Sequence, residues 1–150
     1  MRIAVGSDEA NSLTQAVVSH LKETGHDVDL VGPLAGGDQE WADVGALVGH
    51  KVADGETETG VVCCWTGTGV SIAANKVPGI RAALCGDAET AKGARRYNHA
   101  NVLVLSLRAT SEQVGREIVD AFLDSPDGDE DFDRRNVERI NELDGERPSP

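Results

Sequence analysis

Cys64 ends an apolar run, Val61-Val62-Cys63-Cys64, and a loop of small residues, Thr66-Gly67-Thr68-Gly69, follows two residues later. The run reads as a buried strand. From Val70 onward, Ile72, Ala73, Ala74 and Lys76 suit a helix start. Strand, glycine-rich turn and helix in that order bring free main-chain N–H groups to one spot, where the helix dipole also favours negative charge. A phosphate fits such a spot. The thiol of Cys64 then stands beside a bound anion as a nucleophile or a base. The loop is neither a Walker A motif nor a GxGxxG fingerprint. The plain alternative is a tight strand-to-helix turn over an inert, buried cysteine.

The elements around this stretch alternate between strand and helix. Arg2 to Ser7 reads as a first, central strand, and Leu13, Val17, Val18 and Leu21 recur at helical spacing up to Gly25. Val28 to Val31 is a second strand, and Gly32 to Gln39 reads as loop. Val44, Leu47, Val48 and Val52 mark a helix that opens near Trp41 and closes near Gly55. After the Cys64 unit, Pro78-Gly79 ends its helix and Ile80 to Cys85 reads as a fourth strand. Asp87 to Tyr97 is helical, Asn101 to Ser106 is a fifth strand, and Ser111 or Thr110 caps a helix carrying Val114, Ile118, Val119 and Phe122.

This order predicts an α/β fold: a three-layer, Rossmann-like sandwich with a five-stranded parallel sheet, helices on both faces and an extra C-terminal helix. Residues 1–123 form the main domain, 124–133 an acidic connector, 134–144 the last helix and 145–150 a tail. The last helix, with Val137, Ile140 and Leu143 as its apolar stripe, packs on a partner subunit or folds back on its own domain. In such sheets ligands sit at the carboxyl ends of strands. Those ends are Ser7-Asp8, Cys64-Thr66, Gly86-Asp87 and Ser106-Arg108, a convergence that favours the functional reading of Cys64 and Asp8 over the plain one.

Composition excludes other classes. The net charge is −12, with ten arginines to four lysines, so the surface repels nucleic acid and acidic lipid. No run approaches the ~18 apolar residues of a membrane span. Met1-Arg2-Ile3-Ala4-Val5 leads straight into a strand without a signal-peptide pattern, so a cytoplasmic protein is expected. Three cysteines, two of them adjacent, form no disulfide framework and suit a reducing compartment. No spacing of Cys or His predicts a zinc site.

Gly6-Ser7-Asp8, Asp43, Cys64 to Lys76, Pro78 to Ala82, Asn98, Asn101 to Leu103, Arg108 and Ile118 to Leu123 together resemble the ribose-5-phosphate isomerase B family, which also holds the galactose-6-phosphate isomerase subunits. The likeness runs from residue 2 to about residue 143. It implies aldose–ketose interconversion of a small phosphorylated sugar through an enediolate, with no cofactor and no metal. It implies a homodimer or dimer of dimers, with the active site shared at the interface. The cysteine matching Cys64 is the family's base, and the position of Thr66 steadies the developing oxyanion. The loop amides of Gly67, Thr68, Gly69, Val70 and Ser71 contact the intermediate. Asp8 and Asn98 match residues that bind sugar hydroxyls, while Arg108, Arg134 and Arg135 are the phosphate candidates. Relatives that lack the cysteine use a glutamate in the loop; Val70 occupies that neighbourhood here, which leaves Cys64 as the base.

The chain departs from the family at four places. Glu9 stands where the family has histidine. Tyr97 stands where it has the histidine that opens the sugar ring. The C-terminal arginine cluster is reduced to Arg134, Arg135 and Arg139, and either Trp65 replaces a small loop residue or the loop is locally realigned. Tyr97 or His99 takes over ring opening, or the protein is a non-catalytic phosphosugar-binding homologue, or the substrate needs no ring opening. A tetrose 4-phosphate meets the last condition, because its esterified O4 cannot close a furanose. A further alternative is an obligate partner of a sister subunit.

Overall fold

The computed structural model describes residues 1–146. Five strands form one parallel sheet: β1 (Arg2–Ser7), β2 (Asp27–Val31), β3 (Thr59–Cys64), β4 (Ala82–Leu84) and β5 (Val102–Ser106), in the order β2-β1-β3-β5-β4. Every pairing is parallel. The three central strands are buried on both faces, which explains their continuous apolar runs.

Helices cover both faces. α1 (Ser12–Glu23), α4 (Ala88–Asn98) and α5 (Glu112–Asp124) share one core with Ile3, Val5, Val61, Cys63, Leu103 and Leu105. α2 (Trp41–Ala53) and α3 (Thr68–Ala74) share the other with Ala4, Val62, Cys64, Val102 and Val104. The expected three-layer α/β sandwich is therefore present. Adjacent strand residues point to opposite faces, so Cys63 and Cys64 belong to different cores.

Several boundaries moved for identifiable reasons. β3 begins at Thr59, whose hydroxyl donates to the Asn101 carbonyl at 2.8 Å; threonine and glycine gave no apolar signal there. Ile80 and Arg81 precede β4 rather than opening it, because the Arg81 N–H donates to the Asn101 side chain at 2.8 Å and not to a ladder carbonyl. Gly32–Ala35 forms a 3₁₀ turn ended by Gly36 in the left-handed region, within the expected loop.

The last helix, α6 (Asp131–Gly145), starts three residues before Arg134, with Asp131 and Asp133 in its first turn, where the dipole favours acidic side chains. It lies against α4 and is fastened by Asp144 to the Gly79 N–H at 2.7 Å and by Asn141 to Arg81 at 3.3 Å. Val137 is buried, whereas Phe132, Ile140 and Leu143 stay exposed. The expected tail at 145–150 falls mostly outside the described residues; Gly145 itself ends α6. The connector is not simply solvated. The Gly128 N–H donates to the Arg96 carbonyl, His99 Nε2 meets the Gly128 carbonyl at 2.9 Å, and Arg95 pairs with Asp127 at 2.9 Å. Among the described residues, no helix is long and apolar enough to cross a membrane.

Candidate functional site

The chain diverges between β1 and β3. The loop after β1 leads to α1 on one face, and the loop after β3 leads to α3 on the other. A crevice opens where connections part in this way, at the carboxyl ends of the strands. Ser7 pairs with Cys63 and Cys64 pairs with Ser106 in the ladders, so the residues that leave β1, β3 and β5 lie side by side.

A cleft of about 310 Å³ occupies this point, lined by Asp8, Trp41, Cys64, Trp65, Thr66, Thr68 and Gly69. A neighbouring hollow of about 300 Å³ shares Thr66 and adds Cys85, Gly86, Ser106 and Arg108. Asp8, Cys64, Thr66, Thr68 and Gly69 thus line one cleft, and Arg108 lines the hollow that shares Thr66.

The loop is held from behind by the β5 exit. The Leu107 N–H donates to the Cys64 carbonyl at 3.0 Å, the Arg108 N–H donates to the Trp65 carbonyl at 2.9 Å, and Ser106 Oγ donates to that same carbonyl at 3.0 Å. Thr66 and Thr68 hydroxyls meet at 2.7 Å. Gly67, at φ 77°, turns the chain into α3, and no side chain caps the helix. The first-turn N–H groups thus lack an intrahelical partner. Gly69 carries no side chain because the Trp41 ring lies where its Cβ would point, 2.8 Å away. Asn75 fastens the far end of α3: its amide donates to the Ser71 and Ala82 carbonyls and accepts from the Ala82 N–H, all within 2.9 Å.

One oxygen of Asp8 is buried without a hydrogen-bond partner among the described residues. A buried carboxylate oxygen of this kind needs a donor, and Asp8 also lines the cleft. The thiols differ sharply. Burial pushes Cys63 up to about 12 and Cys85 up to about 11, while only Cys64 lines the cleft. Iodoacetamide at pH 8 is expected to modify Cys64 first, with Cys63 and Cys85 reacting only after unfolding; peptide mapping of singly labelled protein checks the order. Among the described residues, no group of three or more His, Cys, Asp or Glu side chains is placed to hold a metal ion.

The remaining candidates lie elsewhere in the single chain. Val70 is buried under α2 and Ser71 is half-buried within α3. Tyr97 and Asn98 are exposed at the C-terminal end of α4, which runs back toward the amino-terminal edge of the sheet. Arg134 pairs with Asp131, Arg135 is exposed, and Arg139 is held by Glu142 and Glu146, all on α6. His99, at φ 48°, caps α4 and binds the connector instead of facing the cleft. Asp87 caps α4 through the Thr90 N–H. His20 meets Asp120 at 2.6 Å, joining α1 to α5. Trp41 was not anticipated as a site residue; its one sequence signal is that the chain has only two tryptophans, and this one opens a helix.

The family model described as Ribose/Galactose Isomerase matches residues 3–143. The chain is similar to D-erythrulose-4-phosphate isomerase of Pectobacterium atrosepticum, 36% identical over 127 residues, covering 83% of this chain and 84% of that one. It is similar to ribose-5-phosphate isomerase B of Escherichia coli, 37% identical over 123 residues, covering 81% and 83%. The solved ribose-5-phosphate isomerase B of Clostridium thermocellum superposes with a TM-score of 0.91 at 36% identity, covering 97% of this chain and 99% of that one. With this fold and this loop, the chain belongs to the ribose/galactose isomerase family and is an enzyme of the aldose–ketose isomerase class.

Proposed function

We propose that the chain interconverts a small aldose phosphate and its ketose, of the ribose 5-phosphate type, without a cofactor, using Cys64 as the base. The observation that carries this reading is the meeting of Cys64, Thr66 and a donor-less Asp8 oxygen in one cleft beside an uncapped helix start. Cys64 takes the proton from the carbon next to the carbonyl, leaving a cis-enediolate, and returns it to the neighbouring carbon. Thr66 and the first-turn amides of Thr68, Gly69 and Val70 stabilise the oxyanion, the Gly67 and Ser71 N–H groups being engaged by the Cys64 and Gly67 carbonyls; such donors contribute roughly 3 kcal/mol each. Asp8 accepts from a sugar hydroxyl. Arg108, which lines a hollow with Thr66, binds the phosphate, where a guanidinium fork fits better than an ammonium.

Tyr97, Asn98, Arg134 and Arg135 lie outside this cleft, and the exposed Phe132, Ile140 and Leu143 leave α6 with an uncovered apolar face. Both features support a homodimer, or a dimer of dimers, in which α6 packs on the partner subunit and a second copy completes the site. Three free cysteines suit a reducing, cytoplasmic setting.

A second reading is supported by Tyr97, which has no imidazole to open a ring, and by the similarity to an isomerase of D-erythrulose 4-phosphate. In that reading the substrate is an open-chain tetrose phosphate. The purified protein, treated with EDTA, is expected to isomerise D-ribose 5-phosphate or D-erythrulose 4-phosphate, read by chromatography of the product; inactivity on both, from folded protein, overturns the proposal.

A further inference from the structure

We propose that Trp65 sets the chain length of the sugar phosphate the cleft accepts and tunes it to open-chain, four-carbon substrates. This rests on the isomerase reading above in its second, tetrose-phosphate form. Trp65 and Trp41 are the only two tryptophans, and both line the cleft that contains Asp8 and Cys64. They are 59% and 47% exposed, so two large apolar side chains are spent on the cleft and not on either core.

Both are mounted rigidly. The Trp65 carbonyl accepts from Ser106 Oγ and the Arg108 N–H, and the Cys64 carbonyl beside it accepts from the Leu107 and Gly67 N–H groups. The indole of Trp65 therefore hangs from a fixed point one residue from the base. Trp41 rests its ring against Gly69. The cleft is bounded from two elements, the start of α2 and the loop after β3.

One copy of the chain contributes about 310 Å³ of this cleft, and Trp65 stands in it one residue from Cys64. Each further hydroxymethylene unit of a sugar needs room that an indole at the rim takes away. An apolar wall discriminates one such increment by roughly 10- to 200-fold. The chemistry agrees with the shorter chain, because a four-carbon aldose esterified at O4 forms no furanose and needs no imidazole where Tyr97 stands.

The test measures kcat/KM for D-erythrulose 4-phosphate and D-ribose 5-phosphate with the wild type, Trp65→Ala and Trp65→Phe. The wild type is expected to favour the four-carbon substrate. Trp65→Ala is expected to move the ratio toward ribose 5-phosphate by about tenfold or more, and Trp65→Phe to stay within about threefold of the wild type. Trp65 lies outside both cores, so its removal leaves no internal cavity, and circular dichroism checks folding. The affinities of the matching four- and five-carbon aldonate phosphates, which cannot isomerise, should shift in the same direction by calorimetry. An active wild type whose two ratios are unchanged in Trp65→Ala overturns the role of Trp65 and leaves the isomerase reading standing. A folded wild type that turns over neither sugar overturns the isomerase reading, and unchanged aldonate affinities in Trp65→Ala then overturn the size role as well.

Discussion

Replacing Cys64 with alanine is expected to lower kcat by about 10²- to 10⁴-fold while leaving the affinity for a non-isomerisable aldonate phosphate within about threefold. The range is what a positioned base contributes to proton transfer. No other thiol replaces it: Cys63 points into the opposite core with its thiol pushed up to about 12, and Cys85 lines the neighbouring hollow with its own pushed up to about 11. The fold should tolerate the change, because the Cys64 main chain is held by Leu107 and Gly67 and by the β3 ladder. Steady-state rates and calorimetry on the same preparation separate the two quantities. A variant that lost both equally would mean that the thiol only shapes the cleft.

Gly67→Ala is expected to damage both stability and turnover. Gly67 sits at φ 77°, and the left-handed region costs a side-chain-bearing residue about 1–2 kcal/mol. A Cβ there would lie 2.5 Å from Leu84 Cδ1 and 3.2 Å from the main-chain carbonyl of Leu105. Leu84 can swing aside; the β5 backbone cannot. Strain and displacement together cost about 2–3 kcal/mol, a fall in Tm of roughly 4–12 °C for a chain of this size. The shift also pulls the start of α3 away from Cys64, so activity falls with stability. Gly86→Ala is the control, since a Cβ at Gly86 meets nothing within 4 Å, and it should stay within about 0.5 kcal/mol of the wild type.

The sheet and its helices were legible because burial on both faces forces continuous apolar strands, while one-sided burial gives α1 and α5 their helical spacing. Ser111 was readable as a cap because its hydroxyl does accept from the Val114 N–H. The misplaced boundaries share a cause. The Thr59 hydroxyl donates to the Asn101 carbonyl and the Arg81 N–H to the Asn101 side chain, and side chains that stand in for backbone groups leave no trace in periodicity. The first turn of α6 is acidic, and an acidic stretch reads as connector until the dipole it caps is visible. The strand ends drew attention to Asp8, Cys64 and Arg108, and the structure puts Asp8 and Cys64 in one cleft and Arg108 in the hollow beside it. Trp41 was not legible, because a tryptophan opening a helix is indistinguishable in sequence from core. The His20–Asp120 contact joins residues 100 positions apart, and nothing local announces it. Tyr97 and Asn98 have no role that one copy of the chain displays, which is why the proposed dimer matters to the mechanism.

Proton transfer at Cys64 is tested most directly by isomerisation in D2O, with carbon-bound hydrogen next to the carbonyl followed by NMR. The wild type should wash deuterium into that position of recovered substrate and product, and Cys64→Ala should show no wash-in above the rate without protein. Wash-in by Cys64→Ala at the wild-type rate would contradict the assignment of Cys64 as the base.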